Sequence, residues 1–525
     1  MMESKFANYI KRFLLLGVVA GELAGNIASP AYGQPNSLGQ WGPVMKWPNV
    51  AIHTHVLPTG KVLFWSRREW GPGGPLDNPT PGQPSLDPHD CTPRIWDPDK
   101  NIFTETKKPG HNLFCSGHTF LADGRLMVVG GHLADSQGVK EATIYNPFKD
   151  IWEPTDPMNN GRWYPTAVTL PDGSVLVSSG SIQPNQQNNV VQQIWTHGKW
   201  RDIVTFNDIP LYPRMHVAPD GQVFLSGANQ LTQLLDTHAN GGSGVWSVVG
   251  NRDVRVEDYA PSVIFDDRST PATVAGRVLF IGGGNAPTNA AWTIDLNAAT
   301  KAWQPAKSMK FPRRQHNATI LPDGTILVTG GTQGNGGVGG GFDDLTIGAP
   351  IRAAELWNPK TGEWTVLAEE CVDRCYHSTA VLLPDARVLS AGGGEYRPDT
   401  SNPAANPIKD SHLDAQLFSP PYLFRGGTRP TITSAPDAVI YRQDFSVSTD
   451  RTGDIADVTW IRLSSVTHSF NQNQRINFLK FATVDGKLQV TPPANPTVCP
   501  PGHYMLFLLD KQGVPSVAKI IRITS

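Results

Sequence analysis

What the sequence has little of narrows it first. One sign of charge is not in excess: 44 Lys+Arg stand against 46 Asp+Glu, a formal net charge of −2. That balance excludes nucleic acid and anionic surfaces as electrostatically selected partners. Cysteine is sparse and odd in number, with Cys91, Cys115, Cys371, Cys375 and Cys499. Four of them allow up to two disulfides, of which Cys371 with Cys375 is the easiest local pair by loop length, and Cys115 is the candidate for the one left over. Long apolar runs are missing beyond the N-terminus, where Phe13 to Ala20 is preceded by Lys5, Lys11 and Arg12. A spanning helix needs ~20 apolar residues, so this stretch reads as a secretory signal over residues 1–34, with a small-residue cleavage region ending Ala31-Tyr32-Gly33. The protein is therefore expected to be secreted, periplasmic or at the cell surface, with no integral span after processing.

What is abundant points to turns. Gly 51 and Pro 45 are high, yet 15 Trp and 20 Phe argue against disorder. At 525 residues the chain exceeds one ordinary core. Turns of the Leu-x-Asp-Gly kind recur at 57–60 (with Thr59), 121–124, 170–173, 218–221, 321–324 and 383–386, the last with Ala386 in place of Gly. Each precedes a short apolar strand and then a glycine cluster, such as Gly130-Gly131, Gly180, Gly330-Gly331 and Gly392-Gly393-Gly394. A further copy, Gly276 to Gly282, lacks the Pro-Asp. Aromatic strands follow, carrying Trp152, Trp200, Trp303 and Trp364. Strand, tight turn, strand, Gly-Gly, strand, turn, aromatic strand describes one four-stranded blade with a period near that of kelch repeats. The reading is an all-β, seven-bladed kelch-type propeller over residues 35–415. Residues 416–525 alternate short strands with turns at Asp485-Gly486 and Gln512-Gly513, which suits an immunoglobulin-like sandwich.

One register collects reactive side chains. Six residues before Leu121 stands Cys115, six before Leu170 stands Tyr164, and six before Leu383 stands His377, with Tyr376 beside it. Tyr212 and Gln315 occupy the same position in two other copies. Innermost strands line a propeller's axis, so equivalent positions on different blades converge on one mouth however distant in sequence. A thiol, phenols and an imidazole without a carboxylate cluster suit copper better than zinc or calcium.

The motifs Phe114-Cys115-Ser-Gly, Arg162-Trp-Tyr164-Pro, Cys375-Tyr376-His377-Ser and Val466-Thr-His468-Ser-Phe, with Phe418-Ser-Pro-Pro-Tyr-Leu, occur in the order found in copper radical oxidases. Over nearly the whole mature chain the sequence resembles the galactose oxidase and glyoxal oxidase family. The resemblance implies that Tyr164 is an equatorial copper ligand cross-linked through its ring to Cys115. It implies that Tyr376 is the axial phenol and His377 and His468 the imidazole ligands, His468 arriving from the sandwich on a hairpin. It further implies oxidation of an alcohol or aldehyde with dioxygen as acceptor and hydrogen peroxide as product. It implies one copper and a Tyr164–Cys115 radical as the cofactors. Ser178 to Gln183 has no Trp where galactose oxidase carries a stacking indole, and the Arg-Trp-Tyr-Pro wording is closer to glyoxal oxidases. Trp65 and Trp163 are alternative covers for the radical, although Trp163 reads more simply as packing between blades. Arg313-Arg314 reads as a solvated pair or as a binding pair at the mouth. Small aldehydes or primary alcohols are the expected substrates. The alternatives are a carbohydrate alcohol oxidase and, from another class, a propeller that binds a partner without chemistry.

Overall fold

The computed structural model describes residues 34–67, 92–183, 187–252, 259–266, 276–334, 345–394 and 411–524. The expected signal falls outside them except for its last residue, Gln34, and so does Cys91. No helix among the described residues is long and apolar enough to cross a membrane. Seven antiparallel sheets form the propeller. Their innermost strands are His53–Val56, Gly117–Phe120, Thr166–Thr169, Arg214–Val217, Ser262–Phe265, Asn317–Ile320 and Ser378–Leu382, every residue of them buried. In the seventh blade Gln40–Trp41 supplies the outer strand against Asp414–Ser419, with Trp41 opposite Phe418, so the N-terminus closes the ring.

The recurring residues have local reasons. In each Leu-x-Asp-Gly turn the Asp side chain accepts the N–H two residues on: Asp123 from Arg125, Asp172 from Ser174, Asp323 from Thr325 and Asp385 from Arg387. The turn's last residue needs positive φ, and Ala386 adopts it too, at 70°. After the second strand Gly130 has φ 68°, and a Cβ there would collide with the Arg162 carbonyl. The Trp residues clamp neighbouring blades. Trp152 Nε1 donates to Thr106 Oγ1, Trp195 to Thr155 Oγ1, Trp303 to Thr232 Oγ1 and Trp364 to the Lys307 carbonyl.

The last blade runs through the boundary expected at 415, because Asp414–Ser419 pairs with Val388–Gly392. The chain leaves the propeller after Ser419, through a 3-10 turn at Pro421–Phe424. The sandwich then folds around Trp460, Val447, Leu506 and Ile521. Strand Ile476–Val484 is shared between its sheets. The first half pairs with Ile455–Arg462 and the second with Lys487–Thr491.

The sandwich docks on the mouth that carries the Leu-x-Asp-Gly turns. Thr459 Oγ1 donates to the Pro322 carbonyl and the Ala518 N–H to that of Pro384. From there Ser465–Thr467 runs up the axis and pairs with His53–His55, adding two short strands to the first blade's inner edge. Inner edges of other blades also need partners. The Gln472 side-chain oxygen accepts the N–H groups of His118 and Ala167, Asn473 accepts that of Phe120, and Gln474 accepts that of Ile320.

The local disulfide Cys371–Cys375 is not formed. Cys371 is exposed, whereas Cys375 is buried with its thiol 3.5 Å from the Gly331 carbonyl.

Candidate metal centre

The shared register is a backbone feature as much as a side-chain one. Cys115, Tyr164, Tyr212, Gln315 and His377 all have positive φ, between 43° and 67°. Each marks where the chain turns from a connecting loop into an innermost strand. The carbonyls link up: Tyr164 N–H donates to the Cys115 carbonyl at 2.9 Å and Tyr212 N–H to the Tyr164 carbonyl at 2.7 Å. Left-handed backbone costs a non-glycine residue roughly 1–2 kcal/mol, offset here by these bonds and by burial.

Tyr259 belongs to the same ring and was not foreseen. Its φ is 52°, its carbonyl accepts the Gln315 N–H at 2.9 Å, and its ring lies 5.7 Å from that of Tyr376. Its blade is the one without the Pro-Asp turn, so counting back from that turn could not reach it. The available signal was Pro261 two residues on, near the place where Pro165 directly follows Tyr164 and Pro213 directly follows Tyr212.

All five residues singled out from sequence meet at this mouth. The hydroxyls of Tyr164 and Tyr376 are in direct contact. The His468 ring lies 4.6 Å from Tyr164, 5.5 Å from Tyr376 and 4.6 Å from His377 at 83°. Cys115 shares a buried cluster with Tyr164, Phe114 and Tyr212. His468 Nδ1 is 2.6 Å from Thr467 Oγ1, while its Nε2 is buried with no hydrogen-bond partner among the described residues. That is how an imidazole ligand is prepared: one nitrogen is oriented by a neighbour and the other left for a metal. Tyr164, His377 and His468 are buried, but Tyr376 is only half-buried. No group of three or more His, Cys, Asp or Glu among the described residues is placed to hold a metal. Two phenols and two imidazoles meet at this mouth instead, and a set of N2O2 chemistry of this kind fits copper(II).

Burial raises the Tyr164 phenol well above its ordinary value, with Cys115 and Tyr376 adding to the effect. Its phenolate needs a cation beside it. Burial also lowers His468, keeping it neutral and able to ligate.

Other candidates separate. Trp163 lies flat on Tyr164, centroids 3.6 Å apart and planes 6° from parallel, so it does not merely pack between blades. Trp65 stacks on His55 and His53 and donates to the Leu113 carbonyl. Tyr212 stacks on Tyr164 at 4.4 Å and donates its hydroxyl to the Ser116 carbonyl, which makes it a wall of the site. The Arg313-Arg314 pair is not solvated and does not act together. Arg313 is buried against Glu355 at 2.6 Å, whereas Arg314 lies 5.7 Å over the Tyr259 ring.

A family model described as glyoxal oxidase N-terminus matches residues 52–422, and one described as galactose oxidase-like, early set domain, matches 429–523. Galactose oxidase of Gibberella zeae is 29% identical over 522 residues, covering 93% of this chain and 71% of that protein. The aldehyde oxidase GLOX of Vitis pseudoreticulata is 28% identical, covering 92% of this chain and 97% of its own. Among solved structures, a fungal alcohol oxidase of the AA5 family in complex with copper superposes with a TM-score of 0.78 at 26% identity, over 93% of this chain and all of that one.

Proposed function

This chain belongs to the copper radical oxidase family of galactose oxidase and glyoxal oxidase, and from that premise we propose how its residues divide the work. It is a copper-dependent oxidase. Tyr164, Tyr376, His377 and His468 hold the copper, and Tyr164 joined to Cys115 is the radical site. The observation that carries this reading is the contact of the Tyr164 and Tyr376 hydroxyls beside two imidazoles that approach edge-on.

Bound copper supplies one of the two electron-accepting centres that a two-electron oxidation needs, and a cation that favours phenolate. The other centre is Tyr164. A ring bonded to sulfur loses an electron more readily than plain tyrosine, because sulfur donates density into it. The bond forms when the Cys115 S–H and a Tyr164 ring C–H are lost and a C–S bond replaces them. Two electrons and two protons pass to dioxygen, giving hydrogen peroxide. Tyr376 is the base: half-buried at the mouth, it takes the O–H proton of an entering alcohol or aldehyde hydrate. Trp163 covers one face of Tyr164, the position the Ser178–Gln183 stretch leaves without an indole. Ser181 lies behind it, exchanging backbone hydrogen bonds with Trp163 in both directions.

Small aldehydes or primary alcohols are the substrates, oxidised by dioxygen to yield hydrogen peroxide. The N-terminal 34 residues direct export. The decisive experiment is intact-protein mass spectrometry after aerobic copper loading, run beside a peroxide-coupled screen of glyoxal, methylglyoxal, glycolaldehyde, glycerol and galactose. The expected result is a loss of two hydrogens that localises to the Cys115 and Tyr164 peptides, is absent in Cys115→Ser, and accompanies peroxide production. An alkylatable Cys115 in copper-loaded, aerobic protein rejects the cross-link. Turnover of galactose alone among the five replaces the small-aldehyde reading with the carbohydrate one.

A further inference from the structure

Behind Cys115 lies a hydrogen-bonded chain of side chains with no part in the oxidation itself. The Cys115 N–H donates to His53 Nε2 at 3.0 Å. His53 Nδ1 lies 3.1 Å from His118 Nε2, and His118 Nδ1 lies 2.5 Å from Ser465 Oγ. Ser465 Oγ is in turn 2.9 Å from His55 Nδ1. His53, His55, His118 and Ser465 are all fully buried.

The direction of this chain is set from one end. A backbone N–H can only donate, so His53 accepts at Nε2 and carries its proton on Nδ1. That proton is given to His118 Nε2, which leaves His118 protonated on Nδ1 and donating to Ser465. Only a neutral imidazole both donates and accepts. Burial keeps the rings neutral, lowering His53 well below its ordinary value and His118 to about 3.

The chain joins two parts of the site that different regions of sequence supply. At one end the Cys115 peptide, in left-handed conformation, is held by His53 on its N–H and by the Tyr164 N–H on its carbonyl. At the other end Ser465 lies on the hairpin that carries His468, and His53 is paired in the sheet with Thr467, which orients the His468 ring.

We propose that His53, backed by His118 and Ser465, is a positioning residue for formation of the Tyr164–Cys115 cofactor. It holds the Cys115 backbone in the conformation from which the thiol meets the Tyr164 ring, and it makes that conformation depend on the seated hairpin. This rests on the reading that the two residues become joined, by loss of S–H and ring C–H with dioxygen as the two-electron acceptor.

The test follows the loss of two hydrogens with time by intact mass after copper(II) and air are added to protein purified copper-free. His53→Leu keeps the volume but removes the acceptor, and the cross-link is expected to form about tenfold more slowly, the factor for one lost buried hydrogen bond. His53→Gln, whose amide both accepts and donates, is expected to recover most of the rate. Unchanged cross-linking in folded His53→Leu, or a Gln variant no faster than Leu, overturns the proposal. Should the Leu variant not fold, nitrogen-15 histidine spectra of copper-free wild-type protein decide. His53 and His118 are expected as Nδ1–H tautomers, and an Nε2–H tautomer on either rejects the chain. Wild-type protein that never loses the two hydrogens rejects the cross-link reading, whatever the tautomers, and leaves His53 no cofactor to serve.

Discussion

Trp163 shows how one side chain's role depends on which way its neighbour's backbone turns. Adjacent residues in an ordinary strand point to opposite faces. Tyr164 is left-handed at φ 66°, and its ring comes to lie flat beneath that of Trp163. From sequence Trp163 reads more simply as packing between blades, and its stacking on Tyr164 overturns that. Stacking of this kind contributes about 1 kcal/mol, roughly a fivefold effect on an equilibrium or rate. Trp163→Ala is therefore expected to leave the fold intact and to shorten the life of the oxidised, radical form about fivefold, followed by its optical absorption. An unchanged decay would remove Trp163 from the radical's surroundings. By contrast Cys115, Tyr164 and His377 were legible by counting, because their places follow from a turn signal six residues away, and Tyr376 stands beside His377.

At the scale of the element, the hairpin and the amide run that follows it do the assembling. Ser465–Thr467 takes the edge position on the first blade, and Gln472, Asn473 and Gln474 reach other blades with side chains alone. Removing one such amide leaves buried N–H groups without acceptors, each costing about 1–3 kcal/mol. Gln472→Ala strands the N–H groups of His118 and Ala167. It is expected to lower the free energy of unfolding by about 2–4 kcal/mol in a urea titration, allowing for partial rescue by water. Gln512→Ala, at an exposed turn, serves as the unaffected control. Equal midpoints for the two would show that Gln472 does not seal the axis. The tip near Ser464 to His468 was recognisable as a hairpin. What its polar continuation was for was not, since Asn and Gln in sequence look like loop.

At the scale of the molecule, an axis lined with neutral imidazoles makes stability depend on pH. Burial lowers His53, His55, His118, His216 and His316, with His118 and His216 brought to about 3. In the unfolded chain each titrates near 6.5. Above that value both states are neutral and these groups add no pH dependence. Below it the unfolded chain binds protons that the folded one refuses, so stability falls by up to about 1.4 kcal/mol per pH unit for each histidine, down to the folded values. Glu370, raised by burial, works in the opposite sense but is one group against five. The unfolding temperature of copper-free protein is expected to be flat from pH 8 to 7 and to drop steeply between pH 6 and 4. A midpoint level across that range would mean that these rings are not held neutral.

Period and register belong to the sequence, because each blade is built from contacts between residues close along the chain. Local turn chemistry therefore repeats visibly, and with it the seven-fold count and the convergence of Cys115, Tyr164 and His377. The tertiary structure alone decided what lies between blades: Tyr259 completing the ring, Trp163 facing Tyr164, Arg313 buried on Glu355 while Arg314 stays at the mouth, and two histidines, His53 and His118, linking Cys115 to Ser465. Those contacts join residues up to several hundred positions apart. Their partners are chosen by the angle at which blades and hairpin meet, and no local pattern encodes that angle.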